Sequence, residues 1–165
     1  MTWPCESNYR AIINLTDERV EKLQIQARLM VQFPGPTGEA YRHLMAKGKY
    51  FEKDPSDSET CGKAKECFHN ALKSEGEMYC GYAMTADLSF PVAHCWNMKN
   101  GQVLDTTPVF NDSKAFYYGI PISKKVALEV VQTNAHGNEF MDMWRTAVTK
   151  VSEAQANRWR AELGW

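Results

Sequence analysis

The chain carries no surplus of charge: 19 Lys and Arg stand against 20 Asp and Glu, and the pI is near 6.4. Such a balance offers no general attraction to nucleic acid or anionic lipid, and the basic residues are scattered rather than gathered in a block. Long apolar runs are missing too, since no window approaches the ~18–20 residues of a membrane span. The start, Met1-Thr2-Trp3-Pro4-Cys5-Glu6, has neither the basic residues nor the apolar stretch of a secretory signal. A soluble, cytoplasmic protein is therefore expected, with no nucleic-acid or membrane partner. There is no internal repeat and no low-complexity tract. Cysteine follows no framework: Cys5, Cys61, Cys67, Cys80 and Cys95 are odd in number and irregular in spacing. That argues against a secreted disulfide scaffold and fits a reducing compartment. Short-spaced Cys pairs do not occur, nor does the His-x-Glu and Pro-Cys-x-x-Cys pattern of zinc deaminases. No metal and no cofactor is expected.

What the chain does have is 44% hydrophobic and 12% aromatic side chains over 165 residues, enough for one core without disulfide or metal. A single domain over 1–165 is expected, with an N-terminal helical part (1–59), a core (60–132) and a C-terminal helical part (133–165). Asp17 and Glu18 after Thr16 open a helix whose apolar positions run from Val20 through Leu23 and Ala27 to Val31. Phe33-Pro34-Gly35-Pro36 ends it, and a second helix fits 39–47. The stretch 52–60, poor in apolar residues and broken by Pro55, reads as an exposed loop. A helix over 65–73 and three strands over 78–84, 92–98 and 102–106 follow. Residues 117–122 and 126–132 read as further extended segments. Phe140, Met143, Trp144, Ala147 and Val151 then recur at helical spacing, and Ser152-Glu153-Ala154-Gln155 resembles a capping box opening a last helix to Leu163. Helix followed by antiparallel strands argues an α+β fold.

The chemistry-bearing residues gather around Asn100-Gly101, a dipeptide that accepts the positive φ values of a type I′ hairpin turn. That turn sets Lys99 opposite Gln102, Met98 opposite Val103 and Asn97 opposite Leu104. His94 and Asp105 then fall on one face as diagonal neighbours, about 7–8 Å apart at the backbone and within side-chain reach. A carboxylate there can hold the imidazole in one tautomer and stabilise its protonated form. Cys67 supplies a nucleophile. It falls near the start of a helix, where N–H donors and the positive dipole end lower a thiol's pKa, with Lys63 and Lys65 nearby. Cys61, in loop-like sequence, is its competitor. Taken singly, a cysteine beside Phe68 is what a core position looks like, and a strand histidine is commonly structural. The combination of helix-borne Cys, strand-borne His and hairpin-opposed Asp is what points to catalysis.

Cys67-Phe68-His69-Asn70-Ala71, Tyr79-Cys80-Gly81-Tyr82-Ala83, His94-Cys95-Trp96 and Gly101-Gln102-Val103-Leu104-Asp105-Thr106-Thr107 resemble, across residues 60–122, the transglutaminase-like branch of the papain-like cysteine hydrolases. The resemblance implies a papain-like core, a helix-borne Cys packed on an antiparallel sheet and flanked by N- and C-terminal helices. It implies Cys67 as nucleophile, His94 as general base and acid, and Asp105 as orienting carboxylate. The reaction class it implies is acyl transfer on an amide of a protein or peptide: peptide or isopeptide hydrolysis, glutamine deamidation or transamidation. Four departures stand out. Cys95 occupies the usual Ala position, Thr106 the usual Pro, the interval from His94 to Asp105 is shorter than many members show, and no Gln occurs between Gln32 and Gln102 to complete an oxyanion hole before the nucleophile. The Cys67 N–H, Asn70 and Tyr82 are the candidate donors, and Trp96 is a candidate cleft residue. The alternative expectation is a papain-like fold kept as an inactive protein-interaction module.

Overall fold

The computed structural model describes residues 18–56, 62–87, 90–137 and 139–165. The expected helix start at Thr16 and Asp17, and the cysteines Cys5 and Cys61, lie outside them. Among the described residues the chain runs α1 (Glu18–Met30), α2 (Pro36–Lys47), β1 (Lys49–Lys53), α3 (Cys67–Lys73), β2 (Glu77–Thr85), β3 (Val92–Lys99), β4 (Gln102–Leu104), α4 (Pro108–Asn111), β5 (Ala115–Pro121), α5 (Lys124–Gln132), α6 (Phe140–Lys150) and α7 (Glu153–Leu163). The strands form one sheet in the order β1-β5-β2-β3-β4, every neighbour antiparallel. The α+β class is therefore as expected.

The hairpin forms as its turn dictates. Asn100 and Gly101 take φ values of 52° and 76°, and Asn97, Met98 and Lys99 pair with Leu104, Val103 and Gln102. The ladder stops at Leu104, two residues short of the expected strand end, because the chain turns away into α4.

The pleat sorts the side chains of β2 onto two faces. Met78, Cys80, Tyr82 and Met84 join the larger core beneath the helices, with Leu44, Phe68 and Trp144. Tyr79 and Ala83 turn the other way, to Trp96, Phe110 and Tyr117. The sheet curls around this second, aromatic cluster into a half-barrel. Its edge strands β1 and β4 approach each other, and Phe51 of β1 meets Tyr79 and Trp96 edge-on at ring distances of 5.2 and 6.3 Å. Two facing glycines make room inside: Gly81 and Gly119 are partners, and a Cβ on Gly119 would lie 2.4 Å from the Trp96 ring.

Two expectations need correction, and one element was not expected. The charged stretch that begins at Glu52 contains the end of β1, so the sheet reaches into the part expected to be helical. Phe51 is the inward residue, and the buried Lys53 ammonium is held by the carbonyls of Asp54, Phe110 and Asn111 at 3.0, 2.9 and 2.7 Å. Residues 126–132 are helical despite their β-branched side chains, since the Ser123 hydroxyl accepts from the Val126 N–H and Val126, Ala127 and Val130 form one buried face. The short α4, which carries Phe110, has no counterpart in the sequence reading. Ser152 does cap the last helix, its hydroxyl accepting from the Gln155 N–H at 3.2 Å.

Candidate active site

The chain enters α3 through a tight turn. Lys65 takes a φ of 62°, and Gly62 passes so close to Asn70 that a Cβ there would lie 2.4 Å from its side-chain amide. Asn70 Nδ2 donates to the Lys63 carbonyl at 2.8 Å and reaches Thr107 Oγ1 at 3.4 Å, while the Lys63 N–H donates to Asn70 Oδ1 at 3.1 Å. The side chain thereby ties the 62–66 turn to the segment just beyond Asp105. Cys67, the first residue of α3, is left 9% exposed.

On β3 the pleat turns His94 toward the aromatic face and Cys95 toward the helices. His94 Nε2 donates to Asp105 Oδ2 at 2.6 Å, and both residues are only 2% exposed. Asp105 accepts two more hydrogen bonds, from the Tyr117 hydroxyl and the Thr107 N–H, each at 3.0 Å. Phe110 covers the imidazole at a ring distance of 4.1 Å, with Trp96 stacked at 6.4 Å. Nε2 is engaged with Asp105, and the Cys67 thiol lies beside both His94 and Cys95. The fold thus brings together Cys67, His94 and Asp105 from a helix, a strand and a hairpin end.

Burial disfavours the charged imidazole, but the Asp105 carboxylate and the contact with Cys67 outweigh it and raise the His94 pKa to about 10. Burial also works against the Asp105 charge, and His94, the Thr107 N–H and the Tyr117 hydroxyl overcome it, holding the carboxyl below the usual range. Cys67 departs from expectation. The contact with Cys95, and then burial, push its thiol up against the pull of His94. The nearby lysine does not reverse this, since Lys63 is exposed and lies 4.0 Å from the Glu66 carboxylate. Cys67 and His94 titrate as a coupled pair, and once the pair has lost one proton it is either thiol with neutral imidazole or thiolate with imidazolium.

The remaining candidates go elsewhere. Asn70 is committed to the turn and cannot also turn its amide to an oxyanion. Tyr82 faces Tyr41 and Glu139. Trp96 is 1% exposed inside the half-barrel, and among the described residues its Nε1 is the buried side-chain nitrogen left without a partner. The Cys67 N–H stays the candidate donor. Tyr117 and Phe110 are the residues sequence reasoning missed as partners of the pair. Their place follows from β5 and α4, whose register no local pattern announces. Surface cavities of about 350 and 290 Å3 lie beside Met78, Ile122 and Leu163 and beside Arg19, Met84 and Phe116, and neither is lined by Cys67, His94 or Asp105. Among the described residues no group of three or more His, Cys, Asp or Glu is placed to hold a metal ion, and no helix is long and apolar enough to cross a membrane.

Comparison with protein-family models, with curated proteins and with solved structures returns no match for this chain.

Proposed function

We propose that the chain is a cysteine-dependent acyl-transfer enzyme with a papain-like, transglutaminase-like core, acting on an amide of a protein or peptide. The observation that carries the reading is the 2.6 Å bond from His94 Nε2 to Asp105, with the Cys67 thiol beside the same imidazole. His94 Nδ1 takes the Cys67 proton as the sulfur attacks the carbonyl carbon, and the Cys67 N–H is the donor available to the developing oxyanion. Collapse of the tetrahedral intermediate breaks the C–N bond, and His94 returns the proton to the departing amine. The thioester left on Cys67 is resolved by water or by an amine. Hydrolysis, deamidation and transamidation share this first half-reaction.

Acylation by p-nitrophenyl acetate tests it. Wild-type protein is expected to release a stoichiometric burst of nitrophenolate and to carry acetyl on the tryptic peptide 66–73, faster as pH rises toward the His94 pKa of about 10. Cys67→Ala should fold and give no burst; an equal burst from this variant would sink the assignment. One observation favours a second reading, an inactive interaction module: His94 and Asp105 are buried and neither cavity reaches them. Folded wild-type protein that never acetylates at Cys67 would select that reading.

A further inference from the structure

Two cysteines beside the candidate nucleophile have no part in acyl transfer. Cys80 and Cys95 are direct cross-strand partners in β2 and β3, and their sulfurs lie 2.8 Å apart. Directly opposed strand residues have Cα atoms about 4.5–5.5 Å apart, inside the range of about 4.4–6.8 Å that a disulfide spans. Cys95 also contacts the Cys67 thiol, so it stands between the other two. Exposure falls along the series from 9% at Cys67 to 1% at Cys95 and 0% at Cys80. An oxidant therefore meets Cys67 first, and the inner pair is reached through it.

We propose that Cys67, Cys95 and Cys80 form a thiol relay that reduces a hydroperoxide at Cys67 and stores the oxidation as a cross-strand Cys80–Cys95 disulfide. The relay rests on Cys67 being the reactive thiol with His94 as its base, not on acyl transfer. The Cys67 thiolate attacks the hydroperoxide; an S–O bond forms as the O–O bond breaks, the sulfur becomes a sulfenic acid, and the departing alkoxide or hydroxide takes the proton held on His94 and leaves as alcohol or water. Cys95 then attacks that sulfur. An S–S bond forms, the S–O bond breaks, and hydroxide departs with the Cys95 proton as water. Finally Cys80 attacks the Cys95 sulfur, the Cys67–Cys95 bond breaks, and the Cys80 proton passes to Cys67, which is again a free thiol. In total one hydroperoxide and two thiols give one disulfide, one alcohol or water from the hydroperoxide, and one further water.

Trypsin separates the outcomes, because Cys67 lies on peptide 66–73 while Cys80 and Cys95 share peptide 74–99. Folded full-length protein is treated with one equivalent of hydrogen peroxide, quenched in acid, alkylated and digested. The expected end product is peptide 74–99 two hydrogens lighter and unalkylated, with 66–73 alkylated. A cross-linked 66–73/74–99 species should precede it. Cys80→Ala should accumulate the cross-link, Cys95→Ala should leave a Cys67 sulfenic acid trapped by a 1,3-dione, and Cys67→Ala should form the 74–99 disulfide roughly tenfold more slowly or worse. A Cys67→Ala disulfide at the wild-type rate overturns the relay, as does wild-type Cys67 advancing to sulfinic acid with no disulfide. The wild-type time course needs no variant to fold. Protein that acetylates at Cys67 yet forms no disulfide refutes the relay alone, whereas failure of both reactions refutes the active-site reading as well.

Discussion

Asp105 touches no substrate in the proposed mechanism; it is a positioning residue whose carboxylate gathers three donors in a nearly dry site. Its charge is what makes an imidazolium tolerable there. In Asp105→Asn a single amide oxygen replaces the two that accept from Tyr117 at Oδ2 and Thr107 at Oδ1, so one of those bonds goes with the charge, burial governs His94 and its pKa should fall. The thiolate–imidazolium form then loses its stabilisation, and acetylation of Cys67 should slow by up to about 10⁴-fold, the cost of the corresponding change in a serine triad. A stopped-flow pH profile with near-wild-type far-UV circular dichroism would establish this. An unchanged profile would leave Asp105 a structural residue only. The His94–Asp105 pairing was legible from the Asn100-Gly101 turn because a two-residue hairpin fixes register over a few residues. The third and fourth partners, Tyr117 and Phe110, were not, because they arrive through strand order and not through local spacing.

At the scale of elements, the inner face of the sheet depends on a row in which Gly119, Gly81 and His94 lie side by side across β5, β2 and β3. Gly119 leaves the space that Trp96 fills, and Gly81 lets the backbone of Tyr118 and Gly119 come close. Gly119→Ala would press a Cβ to 2.4 Å from the Trp96 ring and 2.6 Å from the Cys80 carbonyl, and backbone cannot swing aside. Destabilisation of about 1–3 kcal/mol is expected, measured as a shift in the urea midpoint at constant m. A variant within about 0.5 kcal/mol of wild type would show that the sheet relaxes freely at this corner. The elements that sequence revealed were those with strong local signals, the hairpin and the helices α2, α6 and α7. Charge concealed β1, whose buried Lys53 sets its ammonium on the carbonyls of Asp54 and of distant α4. Branched residues concealed α5, whose cap and buried face outweigh their strand preference.

The whole molecule has an acid–base profile set by groups buried far apart in sequence. Glu139 caps α6, accepting from the Met141 and Asp142 N–H groups at 2.8 and 2.7 Å. Burial and the neighbouring Asp142 raise its pKa to about 7 against those two hydrogen bonds. Its folded-state value lies above the unfolded one of 4.5, so its contribution to stability is full below pH 4.5 and is lost as pH rises through about 7. The loss amounts to about 3 kcal/mol. His94 has the same sign, with its contribution full below pH 6.5 and lost through about pH 10. Stability measured by urea unfolding should therefore decline in two stages as pH rises from 5 to 10, and Glu139→Gln should remove the first while keeping the second. If the variant keeps the same slope between pH 5 and 8, Glu139 is not the group responsible. The α+β class and the meeting of His94 with Asp105 could be anticipated from residue order, whereas the curl of the sheet around its aromatic cluster required the full set of contacts. The alternation along β3 carries one more consequence. His94 and Cys95 are neighbours in the chain, yet they present an acid–base partner and a sulfur partner to the same atom from opposite sides of one sheet. A single-residue insertion between Cys95 and the Asn100-Gly101 turn would exchange those sides, leaving a thiol against Asp105 and an imidazole among the helices. The length of that short stretch is thus under tighter constraint than the identity of most residues in it.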